Sequence, residues 1–236
     1  CGGSLEVLVE PEVSEAVLAA AEGPGGVVVA TFLDGVEPGR SVLIDDSSPI
    51  EVTDLVRAAR EALRSGRSRT VRLPVGGTDA GVFLEVFPRP PQLVIFGGVH
   101  VAAALVPLAR ALGYRAVVAD GRASFLTRER FPDADQLILG WPDAAFAKAG
   151  IDSATAVVVL THDPKFDDPA LMIALRSPAM YVGAIGSKKT QAARRERLRA
   201  AGLTDDQVGR LFGPIGLDLG GRTPAETALA IMAEIV

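Results

Sequence analysis

Two rhythms of hydrophobic and polar positions divide the chain. Up to residue 88 the apolar positions come in short alternating or mixed runs: LEVLVE (5–10) and VFLEVF (82–87) alternate, while GVVVATFL (26–33) and SVLIDD (41–46) are apolar runs. Those periods predict four strands. Two helices fit between them. One runs from Pro11 to Ala21 with Val13, Val17, Leu18 and Ala21 as its apolar positions, and the other is capped by Thr53 and carries Leu55, Val56, Ala59 and Leu63 on one face. The segment Pro88-Arg89-Pro90-Pro91 cannot continue a central strand, because its prolines lack a donor and disfavour helix before them. A domain boundary is expected there, with domains at 1–88 and 89–236.

Beyond the prolines the rhythm changes. LVIFG (93–97), AVVAD (116–120), LIL (137–139), AVVVLTH (156–162) and YVGAIG (181–186) are apolar on both faces, and helical patterns follow the first, fourth and fifth: to Leu112, from Pro169 and from Lys188. Strands buried on both faces and alternating with helices mean a parallel sheet covered on each side. The fold class is therefore α/β: a small α+β N-terminal domain followed by a Rossmann-like, doubly wound parallel-sheet domain. Pro107 is expected to kink or divide the first helix of this sheet. The last helix carries the clearest signals, with Thr223 as N-cap, Pro224 in the first turn, Glu226 closing a capping box, and Ala228, Ile231, Met232 and Ile235 inward.

Composition narrows the choice of partners. The 236 residues carry 24 basic and 29 acidic side chains, a net charge of −5, which argues against a nucleic-acid or anionic-membrane surface as the main partner. A single cysteine excludes an internal disulfide, and no run of about 18 apolar residues or signal-like segment occurs, so a cytoplasmic protein without membrane insertion is expected. The chain opens on Cys1 rather than methionine, so the first domain is expected to continue upstream.

The candidate chemistry lies at strand ends. Gly97-Gly98-Val99-His100-Val101-Ala102 stands where a dinucleotide fingerprint would read G-x-G-x-x-G or G-x-G-x-x-A. Val99 replaces the middle glycine, whose missing side chain normally admits a pyrophosphate. Asp120, 23 residues after Gly97, is placed to meet a ribose hydroxyl. Two readings stay open: a nucleotide-like ligand, with NAD(P) as one option, or a turn that is only structural. His100 either donates to a bound phosphate or packs. Thr161-His162-Asp163 ends a strand at the edge where such sheets bind ligands, which makes His162 and Asp163 candidates for chemistry.

Gly186-Ser187-Lys188-Lys189 also ends a strand and opens a helix. Free N–H groups, a hydroxyl and two ammonium groups there suit an oxyanion, against the alternative of a capped helix with a solvated basic face running through Arg194, Arg195, Arg197 and Arg199. The loop 213–221, which includes Asp218, either closes over a ligand or is a tight connection. No G-x-S-x-G elbow and no P-loop is present. Cys1-Gly2-Gly3 offers a thiol in a glycine-lined turn, although a lone cysteine is more often inert.

CGGSLEVLVEP, FGGVHVAAAL, AVVAD, LTHD, YVGAIGSKK and GPIGLDLGGRTPAETALAIMAEI, in this order, resemble the xanthine dehydrogenase accessory family, often called XdhC/CoxI. The resemblance covers nearly the whole chain. It implies an α+β first domain, a Rossmann-like second domain, and a carrier more than a catalyst: a protein that binds the molybdenum cofactor (molybdopterin), supports exchange of an oxo ligand for sulfur, and delivers the cofactor to a molybdenum hydroxylase. It further implies a sulfur donor as partner, with Cys1 contacting molybdenum or handling sulfur, since thiolate is a soft ligand. Delivery to a two-fold symmetric hydroxylase would favour a homodimer. The competing reading is an NAD(P)-dependent oxidoreductase of the Rossmann class.

Overall fold

A computed structural model of the protein describes residues 9, 13, 15–23, 26–35, 37–45, 48, 53–75 and 77–236. The chain separates into two compact units, one ending at Arg89 and one beginning at Pro90. Cys1, and all but Val9 of the strand expected over 5–10, lie outside the described residues.

The first unit holds α1 (Glu15–Glu22), β1 (Val27–Phe32), β2 (Ser41–Asp45), α2 (Asp54–Ser65), β3 (Arg69–Val75) and β4 (Thr78–Phe87). Its strands form one antiparallel sheet in the order β2-β1-β4-β3. Thr53 caps α2 by accepting from the Val56 N–H at 3.3 Å, and Gly66, at φ +63°, ends it in the left-handed region that favours glycine. Ala59 and Ala62 turn inward onto Val28, Ala30, Val82 and Leu84.

Two expectations are corrected here. The described helix begins at Glu15, so Val13, expected within it, precedes it and is exposed, and Leu18 is exposed on it; Pro11 lies outside the described residues. The sequence reading also missed β3, whose RTVRLPV pattern carries arginines and Pro74. Among the described residues it is the sheet's edge strand, with one side without a ladder partner, the setting in which a strand tolerates proline.

The second unit runs β5 (Gln92–Phe96), α3 (His100–Ala111), β6 (Arg115–Asp120), β7 (Gln136–Leu139), α4 (Pro142–Ala149), β8 (Thr155–Val159), α5 (Pro164–Arg176), β9 (Tyr181–Ala184), α6 (Lys188–Ala200), α7 (Asp205–Gly209), β10 (Leu211–Phe212) and α8 (Pro224–Ile235). All six strands are parallel, in the order β10-β9-β8-β5-β6-β7. Counted within the unit this is 6-5-4-1-2-3, the order of a Rossmann sheet, with the reversal between β5 and β8.

Strand residues alternate between two cores because successive side chains point to opposite faces. Val94, Phe96, Val117, Ala119, Val157 and Val159 pack under α4 and α5, while Leu93, Ile95, Ala116, Val118, Ala156 and Val158 pack under α3 and α8. Both faces are covered, which is why these strands read as unbroken apolar runs.

α3 passes through Pro107 as one helix, not two, with the proline on its exposed side. α5 begins at Pro164 rather than Pro169: Asp163 is the N-cap and Pro164 takes the first helical position, where a missing N–H costs nothing. β8 and β9 stop at Val159 and Ala184, which leaves Leu160 to Asp163 and Ile185 to Ser187 as strand-end loops. Among the described residues no helix is long and apolar enough to cross a membrane.

Candidate functional site at the carboxyl edge of the parallel sheet

Because all six strands are parallel, their carboxyl ends and the helix N-termini that follow come to one edge. The glycine turn after β5 is shaped by contacts within the chain. Gly97 has φ +117°, and a Cβ there would stand 2.9 Å from Thr161 Cγ2 and 3.1 Å from its backbone nitrogen. A Cβ on Gly98 would overlap the Phe125 carbonyl oxygen and lie 3.1 Å from its carbon. The glycines thus admit the β8 end and the segment after β6, a use of small size that needs no ligand.

Asp120 is equally committed. Only 1% of it is exposed, and its oxygens accept from the Gly98 N–H (2.9 Å), the Arg122 N–H (2.9 Å), and Nε and a terminal nitrogen of Arg122 (2.8 Å each). Burial pushes this carboxyl up, but the Arg122 guanidinium and the two backbone N–H groups outweigh it and hold the group below its ordinary value of 3.8. A lowered native pKa stabilises the fold above the unfolded value and is lost as pH falls through the native one. Asp120→Asn is therefore expected to cost about 1.5–3 kcal/mol at neutral pH. The deficit should shrink as wild type and variant are acidified below about pH 4. Urea unfolding across pH measures both, and a pH-independent deficit would contradict the assignment.

Thr161, at the end of β8, is buried and donates its hydroxyl to Asp167 of α5. Asp167 accepts from Arg194 of α6 at 2.6 Å, and Arg194 also donates to the Ile185 carbonyl (2.9 Å) and to Gln191 Oε1 (2.8 Å). The Gln191 amide donates to the Ala184 carbonyl at 2.8 Å. One buried network thereby ties the end of β8 to the end of β9. Burial pushes the Asp167 carboxyl up, against the pull of Thr161 and Arg194.

A solvated basic face running through Arg194 is the alternative the sequence offers for this helix. In the structure Arg194 is 1% exposed, and only its Nε lacks a partner among the described residues. Leu198 carried the missed signal: it is the only large apolar side chain in α6, and Gln191 and Arg194 lie three and four residues apart on the face it defines.

The remaining candidates are exposed. Ser187 caps α6, accepting from the Thr190 N–H at 3.2 Å, and Lys188 and Lys189 project from its first turn. Asp163 caps α5 through the Lys165 N–H (3.1 Å) and pairs with the Lys165 ammonium at 3.7 Å, while His162 beside it is exposed. His100 opens α3 on the outside, where Val99 is the N-cap. Asp218 is exposed in the loop before α8, a loop anchored by Gly216 N–H donating to Glu234 at 2.9 Å.

This edge joins Gly97, Gly98, Asp120 and Thr161 by direct contact, and Thr161 to the Gly186-Ser187 turn through Asp167 and Arg194. A doubly wound, nucleotide-type sheet whose ligand edge is partly filled by its own side chains is the class defined here. Residues 93–235 match the family described as the XdhC Rossmann domain, and the chain belongs to that family.

Among its relatives are a Bacillus subtilis protein named as a probable xanthine dehydrogenase subunit, and the molybdenum cofactor insertion chaperone PaoD of Escherichia coli. The first is 29% identical over 167 residues, covering 71% of this chain and 48% of the relative. The second is 31% identical over 152 residues, covering 64% and 41%. The uncharacterized protein YqeB of Escherichia coli is 30% identical over 164 residues, 68% of this chain and 30% of its own. The chain thus spans less than half the length of these curated relatives. A crystal structure described as a xanthine dehydrogenase from Bacillus halodurans shares the fold, with a TM-score of 0.57 at 20% identity, covering 94% of this chain and 92% of that one.

Proposed function

We propose that this protein is a molybdenum-cofactor-binding accessory protein that serves the maturation of xanthine dehydrogenase-type hydroxylases. In this reading it holds the cofactor for sulfuration and insertion and meets both the hydroxylase and a sulfur donor, acting as a homodimer. The observation that carries the reading is the state of the dinucleotide elements in an XdhC-family sheet. Asp120 takes four donors and Gly98 lies under the Phe125 carbonyl, whereas a dinucleotide enzyme needs a carboxylate open to ribose and an open glycine turn. That weighs against the NAD(P)-dependent oxidoreductase. The name of the Escherichia coli relative, a cofactor insertion chaperone, supports the carrier.

The donor set after β9 fits the phosphate of such a cofactor. The N-terminus of the 13-residue α6, the Ser187 hydroxyl and the Lys188 and Lys189 ammonium groups are exposed together at a strand end. When bound, the cofactor supplies a molybdenum centre on a pterin. His162 would move a proton beside it, Asp163 fixes the start of α5, and Cys1 is the thiol proposed to contact molybdenum or sulfur.

Two results are expected. Lys188→Ala with Lys189→Ala should weaken pterin retention roughly three- to tenfold at low salt, with the difference closing as salt rises, since both charges are exposed and screened. Released pterin fluorescence after gel filtration measures this, and equal retention would return the turn to a capped helix. Cys1→Ala should leave the melting temperature unchanged while activation of a partner hydroxylase falls. Full activation by that variant would contradict the role of the thiol.

A further inference from the structure

Trp141 is the chain's single tryptophan and follows β7 at the carboxyl edge, with 53% of its surface exposed. It does not stand alone. The buried Phe166 ring, in the first turn of α5, lies 4.9 Å from it between centroids at an interplanar angle of 39°. Phe166 rests in turn on Phe96 of β5 at 6.2 Å, and a Cβ on Gly121, just after β6, would come within 2.7 Å of its ring. The indole is thus backed by a ring where the ends of β6, β7 and β8 meet.

Cations flank this group. The Lys165 ammonium is 4.9 Å from the Phe166 centroid, and the Arg122 guanidinium lies 6.0 Å from it and 3.7 Å over Phe125. The internal aromatic faces are taken by these neighbours, while the indole keeps surface toward solvent. A large, half-exposed aromatic backed by a buried ring, at the edge where a parallel sheet binds ligands, has the chemistry that stacks a flat ring, while the nearby Arg122 and Lys165 are paired with Asp120 and Asp163.

We propose that Trp141 is the stacking surface for the flat heteroaromatic ring of a phosphate-bearing ligand, the pterin or the nucleotide base of the molybdenum cofactor. This rests on the carrier reading above and adds to it the residue that holds the ring. Asp120 and the glycine turn are not needed for it.

The full chain is titrated with neopterin monophosphate, with guanosine and cytidine monophosphates, and with inorganic phosphate, following Trp141 fluorescence and, in parallel, heat. Saturable quenching by the pterin phosphate assigns the surface to the pterin, and quenching by a nucleoside monophosphate assigns it to the base; phosphate alone should give none. Trp141→Ala should weaken calorimetric binding of the responding ligand about tenfold, and Trp141→Phe by no more than about threefold. Trp141→Leu, which keeps apolar contact with Phe166 but not the π face, should lose as much as the alanine variant, so a folding defect in one variant does not decide the outcome.

Unchanged binding by both Trp141→Ala and Trp141→Leu overturns the proposal while leaving the carrier standing. The same holds if these variants bind normally but fail to activate a hydroxylase, which would make Trp141 a protein-docking residue. If the wild-type chain binds none of the ring-bearing probes and retains no pterin from cells, the carrier reading itself fails.

Discussion

Arg194→Ala is expected to destabilise the second unit by about 3–5 kcal/mol, the largest loss foreseen for any single side chain here. The arginine is buried and gives up three partners at once: the Asp167 carboxylate at 2.6 Å, Gln191 at 2.8 Å and the Ile185 carbonyl at 2.9 Å. What remains is a buried carboxylate with only the Thr161 hydroxyl as donor. Burial already pushes the Asp167 carboxyl up, and losing the guanidinium pushes it further in the same direction.

The sign of the pH dependence follows. A raised native pKa means stability that is present at low pH and lost as pH rises through that pKa, so the deficit should be largest at neutral pH and shrink on acidification. Removing both charges, as Arg194→Met with Asp167→Leu, should recover part of the loss, because no buried charge is left uncompensated although the Thr161 hydroxyl, Gln191 and the Ile185 carbonyl lose a partner. Urea unfolding followed by circular dichroism at several pH values checks the series. A loss under about 1 kcal/mol for Arg194→Ala would mean that the network is not closed as described.

Gly98→Ala is the second large effect, expected at about 3 kcal/mol. The added methyl would enter the space of the Phe125 carbonyl, so either the 122–126 segment or the turn must move. Moving either stretches the Gly98 N–H to Asp120 bond, and the cost is therefore more than a local overlap. A turn that is open for a pyrophosphate would tolerate the methyl until ligand arrived. Thermal unfolding without added ligand separates the two: a near-unchanged melting temperature would restore the open glycine turn.

The parts of the fold that were legible in the sequence are those buried on both sides. β5, β6 and β8 are apolar at nearly every position because helices cover each face, and Thr223 and Glu226 announce α8 through a capping box that the structure closes reciprocally. β3 was illegible for the opposite reason: an edge strand with arginines and Pro74 lacks the apolar run. α4 and α7, at eight and five residues, are too short for periodicity to emerge.

At the candidate site the sequence located the strand ends but not their occupants. Gly98 and Phe125, Asp120 and the Gly98 N–H, Asp167 and Arg194 are pairs separated by 22 to 27 residues, and no local pattern states which donor reaches which acceptor. Arg194 shows the difficulty: in a helix of basic residues, one guanidinium is buried against a carboxylate while its neighbours Arg197 and Arg199 pair at the surface with Asp168 and Asp205.

The proposed binding of a pterin cofactor is tested most directly by the pterin content of the protein purified from a host that makes molybdenum cofactor. Heat release followed by oxidation and fluorescence should give pterin in near-stoichiometric amount after gel filtration. Absence of pterin, together with no binding of neopterin monophosphate on direct titration, would contradict the account.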